Sequence, residues 1–248
     1  MKKITQVIFD LDGTLYEKKS VTDYALKKFS KEKNLDFNFV KSKALEAGEI
    51  IKREYKKFES SQQFFTEAYK IMLPLIGLDN SHGNLKYVED LIEGAKQKIL
   101  LDIHPRKGAI NLLKFLKNSQ IKLIVFSGGY PFYAIFDPEI KNKNYKIDLE
   151  FKKTQLNNLG LENYFDEIIP TSMFGGYKPE KKVFMGLLGY LKCKGEECFM
   201  IGDNENDIAA KQVGIKTILL GKEECKRYIP DYRAKNFHEI KEILSNYI

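Results

Sequence analysis

The sequence contains few cysteines, and their arrangement excludes two kinds of structural site. Of 248 residues, only Cys193, Cys198 and Cys225 are cysteines. Their number is odd and none belongs to a CxxC pair, so neither a disulfide framework nor a zinc site is supported. We therefore expect reduced thiols, as in a cytoplasmic protein.

Long apolar runs are also missing. No segment approaches the roughly 18 residues that a membrane span needs. The first twelve residues hold two lysines and only a short apolar stretch, which is too short for the core of a signal peptide. We expect a cytoplasmic location and no membrane partner.

The sequence has no concentrated basic tract, although its net charge is positive. The formal charge is +7, from 41 basic and 34 acidic residues, and the lysines are scattered among glutamates. Sequence-independent nucleic-acid binding needs a basic face, so we expect no nucleic-acid partner. A weakly positive field still favours anionic substrates.

Short apolar runs alternate with helical periods along most of the chain. The composition is 43% apolar, which allows a sizeable core. Runs of this length, bounded by Gly, Asp, Ser or Pro, are typical of strands buried on both faces. The runs are Val7–Phe9, Ile121–Phe126, Glu167–Ile169, Cys198–Ile201 and Ile215–Leu220. Their alternation with helices predicts an α/β fold with a Rossmann-like parallel sheet.

One region interrupts this alternation. From about residue 21 to residue 101 the pattern is helical throughout, which predicts four helices without a strand. Pro74, Gly77 and the polar segment 79–83 are predicted to lie in a loop between helices. We therefore predict an α-helical cap domain inserted after the first strand. The predicted domains are a discontinuous core, residues 1–16 and 102–248, and the cap, residues 17–101.

Two carboxylates follow the first apolar run. Asp10 and Asp12 lie at its carboxyl end, the edge where open α/β sheets bind ligands. Alternation along an extended chain sends both side chains in one direction. Two like charges so close predict a bound metal ion or a raised pKa on one of them. Gly13 permits the sharp turn that follows.

Three other interpretations of this segment compete. An Asp-Gly turn alone is common. A calcium loop also begins with two aspartates at this spacing, but Thr14 and Val21 stand where its third acidic residue and its closing glutamate belong. A response-regulator receiver also places an acceptor aspartate at a strand end, but in a much shorter domain.

A second acidic group follows the run that ends at Ile201. Asp203 comes directly after Gly202, and Asp207 follows four residues later. Mg²⁺ prefers oxygen ligands and incomplete protein coordination, with phosphate and water filling the remaining positions. An isolated acidic turn of this kind would more often cap a helix, but together with Asp10 and Asp12 it indicates a magnesium site.

Two single residues complete the pattern. Ser127 ends the second run and is followed by Gly128, so a hydroxyl and backbone amides can hold phosphate oxygens there. Lys178 precedes Pro179 and can neutralise a phosphate and an attacking carboxylate together. Taken alone, the serine would be a turn hydroxyl and the lysine a surface residue.

In this order the four motifs resemble the haloacid dehalogenase-like hydrolase superfamily, in its phosphatase branch with a helical cap after the first motif. The resemblance covers essentially the whole chain. It implies that Asp10 attacks phosphorus and forms an aspartyl-phosphate, while Asp12 acts first as general acid and then as general base. It also implies that Ser127, the Gly128 amide and Lys178 bind the phosphoryl oxygens.

The same resemblance implies a Mg²⁺ cofactor and a small phosphorylated substrate. The ion would be held by the Asp10 carboxylate, the Asp12 carbonyl and Asp203, with the help of Asp207. The substrate would be a metabolite such as a nucleotide or sugar phosphate, with the cap closing over it. Metal-independent dehalogenases of the superfamily lack an acid at the position of Asp12, which favours phosphate-ester chemistry. A phosphomutase and a non-catalytic phosphate-binding protein are the alternatives.

The sequence departs from the superfamily pattern in two places. Gly128 stands where an asparagine is frequent, and the stretch Tyr130–Phe151 is longer than the common connection. This stretch is either a specificity loop beside the phosphate or a surface insertion without substrate contact. The histidines His82, His104 and His238 are widely spaced, and we assign none of them a role.

Overall fold

The computed structural model describes residues 3–18, 20–54, 61–128, 138–176 and 178–248. The chain divides into two compact units, one formed by Met1–Lys18 with Ile103–Ile248 and the other by Lys19–Asp102. The boundaries expected from the sequence fall after residues 16 and 101. The assignment of these units to a catalytic core and a cap stays a prediction.

The smaller unit is helical. Its helices are α1 (Val21–Glu32), α2 (Phe37–Glu54), α3 (Ser61–Leu75) and α4 (His82–Leu101). Phe29 of α1, Val40 of α2, Met72 of α3 and Val88 of α4 belong to one buried apolar cluster. The amphipathic stripes read from the sequence thus give this unit an apolar core of its own.

The end of α3 corrects one expectation. Pro74 lies inside the helix and not in the following loop. A proline removes one backbone hydrogen bond from a helix, and here the helix ends one residue later. Gly77, at φ +80, then donates its N–H to the carbonyl of Pro74 at 3.0 Å and closes the helix end.

The larger unit is built on a parallel sheet. Its strands are β1 (Gln6–Phe9), β2 (Lys122–Ser127), β3 (Glu167–Pro170), β4 (Cys198–Gly202), β5 (Lys216–Leu220) and β6 (Tyr232–Ala234). The strand order is β3-β2-β1-β4-β5-β6, and every neighbouring pair is parallel. The predicted α/β fold with a Rossmann-like sheet is confirmed. The edge strand β6 was not predicted, because Tyr-Arg-Ala contains no apolar run.

Helices cover this sheet. They are α5 (Ala109–Asn118), α6 (Pro138–Asn158), α7 (Lys181–Leu191), α8 (Glu205–Ile208) and α9 (Phe237–Ser245). Phe184 and Leu187 of α7 pack in one buried cluster with Ile8, Ile124 and Met200 from three adjacent strands. Burial of these strands explains their nearly continuous apolar sequence. Among the described residues, no helix combines the length and apolar character required to cross a bilayer.

The connection after β2 is partly helical. Residues 129–137 lie outside the described part of the chain, but α6 begins at Pro138. The second half of the Tyr130–Phe151 stretch is therefore a helix, so a loop over residues 138–151 is wrong. Beyond this stretch, Lys152 and Gln155 of α6 contact Asp12 at the carboxyl edge of the sheet, as described below.

The position of β1 determines where a site can form. Phe9, its last residue, pairs with Val125 of β2 on one side and Ile201 of β4 on the other. The strands β2 and β3 extend the sheet on one side of β1 and β4 to β6 extend it on the other, so the strand order reverses at β1, which makes this a topological switch point. Residues that follow β1, end β2 and follow β4 therefore meet at one edge.

Candidate active site

Asp10 directly follows β1 and is buried. Its backbone N–H donates to the carbonyl of Ile201 at 2.9 Å, which ties it to β4. Its Oδ1 accepts a hydrogen bond from Lys178 Nζ at 2.7 Å, and its Oδ2 accepts one from the Thr14 hydroxyl at 3.3 Å. Burial raises the pKa of Asp10, while the charge of Lys178 opposes the rise.

Lys178 is buried just before α7 and contacts two carboxylates. Its Nζ donates to Asp10 at 2.7 Å, to the Phe126 carbonyl at 3.1 Å and to Asp207 Oδ1. An ammonium group has three N–H donors, so all of them are used. Burial lowers the pKa of Lys178, but the charges of Asp10 and Asp207 outweigh it and raise the pKa above its ordinary value. The lysine therefore stays charged.

Three carboxylates form a cluster beside this lysine. Oxygens of Asp10, Asp203 and Asp207 all lie within 4.8 Å of one another. Asp207 is fully buried, and within the described chain its Oδ2 has no hydrogen-bond partner. Burial raises the pKa of Asp207 to about 7, with Lys178 opposing the rise and Asp10 adding to it.

The cluster fits a divalent cation. When all three carboxylates are ionised, the positive charge of Lys178 leaves two negative charges that no other cation of the cluster compensates among the described residues. A buried carboxylate oxygen without a partner is costly. Carboxylate oxygens are also the ligands that Mg²⁺ prefers. Asp10, Asp203 and Asp207 therefore have the charge and the donor atoms that such an ion requires.

Two glycines let the backbone approach these side chains closely. Gly13 has φ +94, and a Cβ there would lie 2.1 Å from Asp203 Oδ2. A Cβ on Gly202 would lie 2.2 Å from the Asp207 side chain. Any larger residue at these positions would displace a carboxylate of the cluster.

Ser127 and Gly128 lie at the end of β2, beside the same edge. Ser127 is buried and its hydroxyl donates to Asp12 Oδ2 at 3.2 Å. Among the described residues, a Cβ on Gly128 would meet no atom within 4 Å. The structure thus brings together the side chains of the predicted site residues: Asp10, Asp12, Ser127, Lys178, Asp203 and Asp207.

The Asp12 carboxylate has surroundings different from those of Asp10. Its Oδ2 accepts from Lys152 Nζ at 2.5 Å, and its Oδ1 accepts from Gln155 Nε2 at 2.9 Å and from the Tyr16 hydroxyl. Burial raises the pKa of Asp12, but the Lys152 ammonium, helped by the Tyr16 and Gln155 hydrogen bonds, holds it well below its usual range. Asp12 is therefore ionised in this arrangement.

Tyr16, Lys152 and Gln155 were not among the residues predicted from the sequence. Asp148, Lys152 and Gln155 occupy positions i, i+4 and i+7 of α6 and are each at most 4% exposed. This spacing places them on one helical face. The helix is rich in polar residues throughout, so its sequence does not distinguish a buried polar face from a solvated one.

Comparison with known proteins adds an independent observation. Residues 4–214 match the family model of the haloacid dehalogenase-like hydrolases. A phosphoglycolate phosphatase from Aquifex aeolicus is 27% identical over 172 residues, which are 66% of this chain and 79% of the relative. The pyrophosphatase PpaX of Bacillus cereus is 30% identical over 120 residues, which are 44% of this chain and 56% of that relative.

A solved structure of the same family shares the fold. The magnesium-bound HAD-hydrolase YfnB from Bacillus subtilis matches with a TM-score of 0.65 and 19% identity, over 98% of this chain and 99% of that one. At this level of identity, the similarity concerns the fold. It extends over both units of the chain.

Proposed function

Since this chain belongs to the haloacid dehalogenase-like hydrolases, we propose that it is a Mg²⁺-dependent phosphatase that hydrolyses a small phosphorylated metabolite through an aspartyl-phosphate. One observation carries the proposal. Asp10, Asp203 and Asp207 form a carboxylate cluster in which Lys178 bridges two members. The proposed nucleophile Asp10, the ammonium group of Lys178 and the carboxylate ligands for Mg²⁺ thus lie at one edge of the sheet.

Asp10 is the nucleophile. Its carboxylate oxygen attacks phosphorus, a bond from Asp10 to phosphorus forms, and the bond from phosphorus to the leaving oxygen breaks. The hydrogen bonds from Lys178 and Thr14 hold both oxygens of this carboxylate and orient it. Positioning and charge neutralisation supply most of the rate enhancement in phosphoryl transfer.

Asp12 handles the proton. The ionised Asp12 takes up a proton when the negatively charged phosphate binds beside it, because a nearby negative charge favours the neutral carboxyl. It donates this proton to the leaving oxygen in the first step and accepts one from the attacking water in the second, which releases phosphate and restores Asp10. Ser127 contacts Asp12 at 3.2 Å and is followed by Gly128. The glycine amide binds a phosphoryl oxygen, and Ser127 and Lys178 join it by exchanging one of their present hydrogen bonds each for a phosphoryl oxygen.

The Asp10, Asp203 and Asp207 carboxylates, with the backbone carbonyl of Asp12, would hold Mg²⁺. The unpartnered Oδ2 of Asp207 and the uncompensated negative charge support this assignment. When bound, Mg²⁺ shields the nucleophilic carboxylate from the negative charge of the phosphoryl group.

The names of the two relatives described above suggest which substrates to test. Their names, phosphoglycolate phosphatase and pyrophosphatase, denote small phosphate compounds. Nucleotide and sugar phosphates belong to the same proposed class. Fold and family do not select among them, so a panel of substrates is required.

The test is release of inorganic phosphate from p-nitrophenyl phosphate and from a panel containing phosphoglycolate, pyrophosphate, nucleotides and sugar phosphates. The parent protein is compared with Asp10→Asn, with Mg²⁺ or with a chelator. Asp90→Asn, which changes an exposed carboxylate on α4, is the matched control. We expect Mg²⁺-dependent release that Asp10→Asn abolishes and Asp90→Asn retains.

Two outcomes would contradict the proposal. Release that persists in folded Asp10→Asn would exclude Asp10 as nucleophile. No release from any substrate by the folded parent would favour the phosphomutase or the non-catalytic binding protein, and dependence of turnover on a bisphosphate activator would then identify the mutase.

A further inference from the structure

We propose that Lys152 is a positioning residue, which holds the Asp12 carboxylate in place for proton transfer to the leaving group. This role rests on the proposed phosphatase function. Lys152 lies on α6, 140 positions from Asp12 in the chain, and its Nζ donates to Asp12 Oδ2 at 2.5 Å. Its side chain is 4% exposed, so the contact is shielded from bulk water.

Both oxygens of the Asp12 carboxylate are held by separate groups. Lys152 and Ser127 donate to Oδ2, while Gln155 and Tyr16 donate to Oδ1. Gln155 Nε2 also donates to the Tyr16 hydroxyl at 2.7 Å, which connects the two donors on that side. A carboxylate held at both oxygens cannot rotate freely. Lys152 supplies the single full positive charge among these four donors.

The two buried lysines of the site have different partners. Lys178 contacts Asp10 and Asp207, which belong to the carboxylate cluster. Lys152 contacts Asp12, which is assigned to proton transfer. Lys178 therefore acts on the phosphoryl side of the reaction, and Lys152 acts through Asp12 on the side of the leaving group.

Stability alone is a weak reason for this buried ion pair. Removing an ammonium and a carboxylate from water costs about as much as their attraction returns, and apolar residues of similar volume are often as stabilising. An ion pair with fixed geometry is more useful where it keeps a reacting group in position. Small misplacements of a catalytic group can cost large factors in rate.

The role predicts a dependence on the leaving group. Proton donation matters most when the leaving oxygen is strongly basic, as in an alkyl phosphate, and matters little for p-nitrophenolate. A displaced Asp12 should therefore slow alkyl phosphate hydrolysis selectively. Because Asp12 also activates the water in the second step, which all substrates share, kcat should fall for every substrate. The selective loss should appear in kcat/KM, which reports only the steps up to formation of the aspartyl-phosphate.

The experiment compares Lys152→Met with Lys153→Met on both kinds of substrate. Lys153 is the next residue of α6, carries the same charge, and forms an exposed ion pair with Glu150 at 3.0 Å. We expect Lys152→Met to lower kcat/KM for an alkyl phosphate by about 10- to 100-fold and for p-nitrophenyl phosphate by less than about threefold. Lys153→Met should match the parent on both.

A double mutant distinguishes positioning from a general structural effect. In an Asp12→Asn background, Lys152→Met should cause no further selective loss, because residues that act through one another are not additive. Thermal unfolding checks that each variant is folded. If Lys152→Met does not fold, Lys152→Gln, which retains an amide donor without the charge, is expected to show the same selective loss to a smaller extent.

The outcomes separate this inference from the proposed function. If the parent turns over but Lys152→Met loses kcat/KM equally on both substrates, the role of Lys152 alone is overturned. Additive losses of kcat/KM in the double mutant would overturn it as well. Absence of Mg²⁺-dependent turnover in the folded parent would overturn the proposed function and this role together. Selective, non-additive loss would support both.

Discussion

Asp10 and Asp12 are two residues apart, yet their surroundings differ in charge. Asp10 shares one ammonium, that of Lys178, with Asp207 and lies near Asp203. Asp12 has Lys152 as its own partner, with further hydrogen bonds from Gln155 and Tyr16. Burial raises the pKa of Asp10. Burial also acts to raise the pKa of Asp12, but Lys152 and the hydrogen bonds from Tyr16 and Gln155 together outweigh it and lower that pKa.

The two carboxylates therefore differ in whether a positive charge of the protein compensates them. The Asp10 side has an excess of negative charge, which a divalent cation would compensate. The Asp12 side already has its positive charge, supplied by α6. Equal residue types at neighbouring positions thus acquire different chemistry from the elements that pack against them. The following predictions test this contrast, beginning with the largest effect.

The first prediction compares the two carboxylates directly. Asp10→Asn should lower kcat for every substrate by at least about 10³-fold, because the nucleophile is lost. Asp12→Asn should lower kcat/KM for an alkyl phosphate by about 10²- to 10⁴-fold and kcat/KM for p-nitrophenyl phosphate by less. Steady-state kinetics on both substrates measure the two ratios. If the loss in Asp12→Asn depended on the leaving group no more than the loss in Asp10→Asn, the proposed difference between the two carboxylates would be contradicted.

The second prediction compares the two lysines by stability. Lys178→Met leaves two buried carboxylates without their cation and should lower the free energy of unfolding by about 3–5 kcal/mol. Lys152→Met leaves one carboxylate that keeps three hydrogen-bond donors, so its loss should be smaller. Urea unfolding in the presence of a chelator measures both. A larger loss in Lys152→Met would contradict the comparison.

The third prediction concerns the backbone beneath the carboxylate cluster. Gly13→Ala places a Cβ against Asp203 and should weaken Mg²⁺ binding by about 10- to 100-fold. Gly221 also has a positive φ, +108, but a Cβ there meets no atom of the described part of the chain within 4 Å. Gly221→Ala should therefore lose stability without losing Mg²⁺ affinity. Calorimetric titration measures the affinities, and equal values for both variants would refute the proposed contact.

The fourth prediction concerns the pH dependence of the stabilisation that Mg²⁺ gives. The pKa of Asp207 is raised by burial to about 7, above its ordinary value of 3.8. In the metal-free protein, its contribution to the free energy of unfolding is therefore lost as the pH rises from about 4 to about 7. A bound cation favours the ionised form, so Mg²⁺ should raise Tm more at about pH 8 than at about pH 5. A Tm increase that does not depend on pH would count against the assignment.

Much of the site could be predicted because it follows strand ends. Asp10, Ser127 and Asp203 each come at the end of an apolar run, and parallel strands bring such positions to one edge. The family recognised from these motifs is confirmed by the match over residues 4–214. The helical pattern between residues 21 and 101 likewise predicts the four helices α1 to α4.

The remaining features depend on tertiary packing. The contact of Lys152 with Asp12 spans 140 positions and requires the placement of α6, which a polar helix sequence does not specify. The strand β6 has three residues and pairs only at the sheet edge, so it lacks the apolar run that revealed the others. Pro74 was assigned to a loop because its effect on a helix depends on how near the helix end it lies.

The most direct test of the account is to identify the residue that receives the phosphoryl group. The parent protein is mixed with Mg²⁺ and a substrate labelled in its phosphoryl group, quenched in acid during turnover, digested and mapped. We predict label on the peptide containing Asp10, and none in Asp10→Asn. Label on a different residue, or turnover by the parent with no labelled enzyme at any quench time, would contradict the aspartyl-phosphate mechanism.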